Sequence, residues 1–428
     1  MFFAGNSNVL WNIWEGGENV LTAVNQIGEV FSLVHGFPKE ELRSIRKEMN
    51  FYCPHCHERV HMRVGNIKFP HFSHMPNSSC SFSEGESKVH LQGKLDLYNW
   101  LTSHRGVHAE LEPYLPAIGQ RPDILFQWED RIYSLEYQCS AIPIEDMVNR
   151  TKGYISADIH PIWILGPVFE KIYGASPSVN QLSAFQWSFF QHMQDSGLYL
   201  LSYCPQKKSL LHLSRPFPIS SKKIYSVITT LPLHQLHPSQ LSSIQTKQLK
   251  IPLSHWLMEK ARWAGQRMRF SRKYKDPFLQ CVYNSGKNLL VMSPQIGLPV
   301  PSMYTMAVHP IEWQFFVWYD NIRFKREGEC ISAKGCTAMI EERIKQGCLK
   351  KRCLPLLKID HSRDMVIQYL DLLCSLGYMK RLSPERYLLL KPFLFEQNML
   401  KSLDFEKKFY LENLMKINGQ FNRMIHIF

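Results

Sequence analysis

Cys53-Pro54-His55-Cys56, followed by His71-Phe72-Ser73-His74 and Cys80, constrains this chain more than any other feature. A short segment dense in thiols and imidazoles buries too little apolar surface to fold on that alone. Two cysteines across a tight turn, closed by one histidine and one further cysteine, satisfy tetrahedral zinc. Cys53, Cys56, His74 and Cys80 are the preferred set, with His71 as the alternative to the fourth ligand, since the two histidines stand three apart and can supply both nitrogens. No H-E-x-x-H pattern is present, so the expected zinc is structural and contributes folding energy. A metal-free knuckle with packed thiols is the competing reading.

The intervening Val60–Phe69 carries a Gly65-Asn66 turn suited to a hairpin, which makes the segment zinc-ribbon-like. Before it, Val20–Val34 reads as a hairpin about Gly28 and Lys39–Glu48 as a short charged helix. After it, Glu86–Ser103 has the spacing of a helix, with Leu91, Leu95 and Tyr98 on one stripe. Three strands are expected at Ala109–Leu115, Pro122–Gln127 and Ile132–Cys139. A helix then starts after Pro143 and a last strand spans His160–Leu165. The order is α-β-β-β-α-β.

The second and third of those strands carry Arg121-Pro122-Asp123 and Glu136-Tyr137-Gln138. With Glu129-Asp130 as a two-residue turn, Ile124 opposes Leu135, Phe126 opposes Tyr133, and Asp123 opposes Glu136. One face becomes apolar and the other polar. Opposed carboxylates stand about 5 Å apart at Cβ and repel each other, so a cation between them is the natural complement. Mg²⁺ or Mn²⁺ suits two carboxylates plus water and phosphate oxygens, and would support phosphodiester hydrolysis. Gln138 can orient the attacking water. The preceding helix adds Glu86, His90 and Lys94 at four-residue intervals, for the metal shell, a proton or phosphate contact, and developing charge respectively. An ordinary polar helix stripe is the alternative for those three. Glu112 is a weaker acidic candidate.

At these residues the chain resembles the PD-(D/E)xK nucleases, whose core has the same element order. More closely, it resembles the bacterial competence protein CoiA family. The resemblance rests on the Cys-Pro-His-Cys and His-Phe-Ser-His segments, the helix at 86–94, and Arg-Pro-Asp at 121–123. Glu-Tyr-Gln-Cys-Ser at 136–140 and Arg-Thr-Lys-Gly-Tyr at 150–154 complete it. It implies a protein that acts on DNA taken up in natural transformation and promotes its recombination, and it marks Asp123, Glu136 and Gln138 as nuclease-site positions. Gln138 stands where the nuclease pattern has a lysine. A neutral amide supplies no charge, so either Lys94 replaces it or the fold binds DNA and assists recombination with little or no cleavage.

Charge adds a second argument. The net charge is +13, and Leu201–Gln280 holds 14 Lys or Arg against two acids, a concentration that points to a polyanion. Within it Lys260, Arg262, Arg267, Arg269, Arg272, Lys273 and Lys275 alternate with aromatics, a pattern suited to single-stranded DNA or recombination intermediates. Trp256, Trp263 and Phe270, seven apart, read as the buried stripe of the same helix. A solvated surface, or a scaffold recruiting recombination proteins, is the alternative use of this region.

The expected architecture is therefore α+β and multidomain. It comprises an N-terminal domain with the zinc-ribbon-like segment (1–82), the α-β-β-β-α-β nuclease-like core (83–173), and a basic, mostly helical C-terminal region (174–428) with a winged-helix-like part at 337–400. A break is expected near Gly174–Val179. No apolar run is long enough to span a bilayer and no signal peptide is evident, so the expected location is the cytoplasm. Eleven cysteines in 428 residues fit reduced thiols better than a disulfide scaffold. Cys330, Cys336, Cys348 and Cys353 are spaced too loosely for a second metal cluster.

Overall fold

The computed structural model describes residues 21–33, 37–54, 56–66, 70–75, 78, 80, 87–167, 178–193, 197–242, 253–271, 275–357 and 361–423. The chain forms two compact units. The first comprises Met1–Ser140, Arg150–Gly166 and Cys204–Lys208; the second comprises Ala141–Asn149, Pro167–Tyr203 and Ser209–Phe428.

The first unit opens with β1 (Thr22–Asn25), β2 (Val30–Ser32), α1 (Lys39–Glu48), β3 (Phe51–Tyr52), β4 (Arg59–Arg63) and β5 (His71–His74). The strands make a five-stranded antiparallel sheet in the order β2-β1-β3-β4-β5. Gly28 takes a φ of 87° in the first hairpin, a conformation that costs glycine nothing. Leu42 of α1 joins Ala23, Phe51, Val60, Met62 and Phe72 in a small core that also contains Cys53 and Cys80.

The same unit continues through α2 (Lys88–Thr102), β6 (Val107–Leu111), β7 (Ile124–Trp128), β8 (Arg131–Gln138), α3 (Ile144–Ser156) and β9 (Ile159–Leu165). This is the α-β-β-β-α-β order read from the sequence. β6, β7 and β8 are antiparallel, and β9 runs parallel to β8. The β7–β8 register pairs Ile124 with Leu135 and Phe126 with Tyr133 and closes at Trp128–Arg131, as the hydrophobic pattern required. The polar side of the hairpin is buried as well. Ser134 and Glu136 are as buried as Leu135 and Tyr137, so both faces of β8 are covered.

The second unit begins with β10 (Ser178–Gln181), α4 (Ala184–Trp187), β11 (Gln191–Met193), β12 (Gly197–Cys204), β13 (Ser209–Pro218) and β14 (Lys223–Pro232). Four of these strands lie side by side as β10-β14-β13-β12, with β11 on β12. A mostly helical C-terminal region was expected, and residues 178–232 depart from that. Leu198–Tyr203 is buried throughout, so it lacks the polar–apolar alternation that reveals a strand.

Helices dominate further on: α5 (Leu253–Phe270), α6 (Pro277–Asn284), α7 (Pro310–Val317), α8 (Ala333–Lys345), α9 (Ser362–Ser375) and α10 (Met399–Arg423). A small sheet pairs β15 (Cys330–Ser332), β17 (Arg386–Leu389) and β16 (Met379–Ser383) in that order. Here, within the part expected to be winged-helix-like, α9 leads into the β16–β17 hairpin. Yet Met365, Val366, Tyr369, Leu370, Leu372 and Leu373 bury α9 within the large core of this unit. Arg363 is exposed and Ile367 and Asp371 are half-buried on the remaining side of α9. Among the described residues, no helix is long and apolar enough to cross a membrane.

Candidate functional site

The first site lies in the N-terminal sheet. One ligand atom each from Cys53, Cys56, His74 and Cys80 falls within 4.8 Å of every other, and Cys56 Sγ stands 3.4 Å from His74 Nε2. A tetrahedral zinc with Zn–S bonds of about 2.3 Å has ligands about 3.8 Å apart, so the donor set fits. These four residues could hold a metal such as zinc. Burial, with Cys80 and Cys53 alongside, pushes the Cys56 thiol up to about 12, so metal loading must displace protons. His71 is not in the group. On β5 alternate residues face opposite sides: His74 pairs with Val60 and His71 with Arg63. Two histidines three apart therefore point away from one another, and they cannot both serve one ion.

The second site lies between α2, the start of β7, and β8. The Ser87 hydroxyl caps α2 by accepting from the His90 amide at 3.2 Å. The helix then carries His90 and Lys94 to Asp123: His90 Nε2 is 3.5 Å from Asp123 Oδ2, and Lys94 Nζ is 3.3 Å from Asp123 Oδ1. The Tyr137 amide donates to Asp123 Oδ2 at 2.8 Å. α2 comes this close because residue 93 is glycine. A Cβ there would lie 2.1 Å from the Tyr137 ring.

Glu112, the weaker candidate, turns out to be central. Lys94 Nζ donates to Glu112 Oε1 at 2.6 Å and Arg121 Nη2 to Glu112 Oε2 at 3.0 Å. Glu136 is served by α3. Arg150 Nη2 donates to Glu136 Oε1 at 2.5 Å and the Tyr154 hydroxyl donates to the same oxygen. Arg150 and Tyr154 are one turn apart on α3, on a single face. Their i, i+4 spacing was the available sequence signal for these two partners of Glu136.

The electrostatics follow from these partners. Burial opposes ionisation of Asp123, but Lys94, His90 and Arg150 outweigh it and hold the carboxyl well below its usual range. Lys94 and Arg121 likewise overcome burial at Glu112. At Glu136 burial prevails, helped by Asp123 and opposed by Arg150, and the pKa is raised. The site thus joins an ionised Asp123 to a Glu136 more easily protonated, with cations on both flanks.

Gln138 is elsewhere in its contacts. Its amide donates to the Ser140 carbonyl at 3.0 Å and to the Ser140 hydroxyl at 3.3 Å. Glu86, Arg272 and Lys273 lie outside the described residues.

The basic stretch divides. Lys260 is buried, donating to Glu406 Oε1 at 2.5 Å and to the Ile296 carbonyl at 2.7 Å, so its charge serves the core of the second unit and not a phosphate. Arg267 grips Asp276 through two hydrogen bonds of 2.6 and 3.0 Å and lies 3.3 Å from Glu312. Both depart from the expected phosphate contacts, because each found an acid distant in sequence or just past the helix end. Arg262 pairs with Glu259 yet remains half exposed, and Arg269 and Lys275 are exposed. Trp256 is buried and Trp263 half-buried as the stripe required, whereas Phe270 is 74% exposed at the helix end.

Comparison with known proteins adds a family. Three family models match in succession: Competence protein CoiA, N-terminal domain, at residues 34–83; its nuclease-like domain at 86–246; and its C-terminal domain at 251–403. A protein described as Competence protein CoiA from Bacillus subtilis (strain 168) is 30% identical over 352 residues, covering 81% of this chain and 91% of that protein. No solved structure matches the chain.

Proposed function

The chain belongs to the competence protein CoiA family, and on that premise we propose that it is a cytoplasmic, metal-dependent nuclease acting on DNA taken up in natural transformation. Its products would enter recombination. The observation that carries this reading is the Lys94–Asp123 contact of 3.3 Å. It sets a cation beside an ionised carboxylate immediately before β7.

Asp123 and Glu136 offer the hard oxygen donors that Mg²⁺ or Mn²⁺ takes, so the residues fit such an ion by donor type. When bound there, it would supply Lewis-acid stabilisation of the phosphate and a more acidic water. We assign Lys94 to the charge that Gln138 does not provide, exerted through the Asp123 carboxylate that it contacts. His90, beside Asp123, is assigned to hold the proton of the attacking water. Gln138, bonded to Ser140, is given no role in the reaction. Arg262, Arg269 and Lys275 are assigned to hold the DNA backbone, with single strands preferred through stacking on Phe270. The Cys53, Cys56, His74 and Cys80 cluster is assigned to structural zinc.

One observation favours a second reading, a nuclease fold that binds DNA without cutting it. Lys94, Arg121 and Arg150 balance Glu112, Asp123 and Glu136 one for one, and Arg150 and Tyr154 both occupy Glu136 Oε1. A divalent cation would enter a cluster that is already neutral. Labelled single- and double-stranded DNA incubated with Mg²⁺ or Mn²⁺ separates the two. Cleavage lost in Asp123→Ala and Glu136→Ala, with DNA binding retained, supports the nuclease. Binding without cleavage by the pure wild type supports the second reading.

A further inference from the structure

The acidic site is braced from the N-terminal domain. Thr22 stands on β1 and is buried. Its hydroxyl donates to Glu112 Oε2 at 2.9 Å and accepts from Arg121 Nη2. The other oxygen of Glu112 takes the Lys94 ammonium at 2.6 Å, and that ammonium faces Asp123 at 3.3 Å. We propose that Thr22 is a positioning residue, through which the N-terminal domain sets the Lys94 ammonium against Asp123. This rests on the reading that Lys94 is the working cation of the site.

The chemistry of the hydroxyl suits that task. It donates and accepts at once, so it satisfies a carboxylate and a guanidinium together. Glu112 needs such support. Its φ of 51° lies in the left-handed region, which costs a residue with a side chain about 1 kcal/mol or more. Five contacts fix it there: its amide donates to the Asp123 carbonyl at 3.0 Å, its own carbonyl accepts from Arg121 Nε at 2.7 Å, and Lys94, Thr22 and Arg121 Nη2 donate to its carboxylate. A buried ammonium follows its acceptor, since charge in a dry site is held by whichever partner is near. Whatever shifts β1 therefore shifts Glu112 and then Lys94.

β1 is in turn tied to the Cys/His cluster. It pairs with β3, Val24 to Tyr52 and Asn25 to Phe51, and β3 runs directly into Cys53. The N-terminal domain thereby acts as one wall of the acidic site. A Lys94 held by its own domain alone would not need the threonine.

Amine labelling of the full-length protein, read by peptide mass spectrometry, tests this without any cleavage assay. Lys94 is followed, with buried Lys260 of the second unit as reference for global folding. Thr22→Val should raise the labelling rate of Lys94 about fivefold, the consequence of losing one charge-assisted hydrogen bond in part, while Lys260 is unchanged. Thr22→Ser should restore protection. Equal protection of Lys94 in wild type and Thr22→Val overturns the proposal, as does a Thr22→Ser protein that labels like Thr22→Val. Should Thr22→Val expose Lys260 as well, Thr22→Ala against Thr22→Ser gives the same comparison in a smaller side chain. Because the readout is Lys94 protection, a protein that never cuts DNA can still show the brace, and one that cuts can lack it.

Discussion

Lys94 Nζ lies 3.3 Å from Asp123 Oδ1 and 2.6 Å from Glu112 Oε1, with its side chain 1% exposed. One ammonium holds two carboxylates that would otherwise repel. Lys94→Met should therefore lower the unfolding free energy by about 3 kcal/mol in urea denaturation, since it removes the shared cation of two buried carboxylates and leaves Arg121 and His90 to hold them. A loss below about 1 kcal/mol would mean that water already screens the group. Both carboxyls are held below their ordinary range, so their stabilisation is present above an unfolded pKa of about 4 and is lost as pH falls through the lower folded values. The variant should lose that acid dependence.

Gly93 packs beneath the Tyr137 ring, and a Cβ at 93 would lie 2.1 Å from ring atom Cε1. Alanine improves helix propensity by about 1 kcal/mol, but the buried ring cannot retreat freely. Gly93→Ala should thus destabilise by about 1–2 kcal/mol net. Combining it with Tyr137→Leu should recover part of the loss. A stabilised Gly93→Ala protein would show that α2 and β8 are further apart.

His212 on β13 is fully buried, and among the described residues neither ring nitrogen has a hydrogen-bond partner. Burial lowers its pKa from 6.5 to about 4. The unfolded chain therefore takes up a proton between those values and the folded chain does not, so stability falls as pH drops from about 6.5 towards 4. At pH 5 this amounts to about 2 kcal/mol. Thermal melts at pH 8 and pH 5 should converge for His212→Phe relative to wild type. An unchanged pH difference would exclude His212 as its source.

The Cys/His cluster should bind one equivalent of Co²⁺ with thiolate charge-transfer bands, displaced by Zn²⁺. His74→Ala and Cys80→Ser should each weaken or abolish the spectrum, while His71→Ala leaves it intact. Loss on His71→Ala would contradict the opposite-face placement on β5.

Basic residues of α5 should separate by function. Arg262→Ala with Arg269→Ala should weaken single-stranded DNA binding and reduce its salt slope by about 1.4. Lys260→Met should instead lower stability and leave the slope unchanged, because its partner is Glu406. A reduced slope in Lys260→Met would reverse that assignment.

The sequence on its own determined those features that depend on local periodicity. Alternation about Glu129-Asp130 set the β7–β8 register, apolar and capping residues placed α1, α2 and α3, and thiol spacing selected Cys53, Cys56, His74 and Cys80. Such patterns are written within a few residues, since a strand repeats every two and a helix every 3.6. Only the tertiary structure decided which charges meet. Glu112 pairs with Lys94, 18 positions earlier, and with Thr22, 90 positions earlier, while Lys260 pairs with Glu406, 146 positions later. A lysine bound for a buried carboxylate and one bound for solvent look alike in a sequence. Burial separates them, because a buried charge must find a partner wherever the fold brings one within reach.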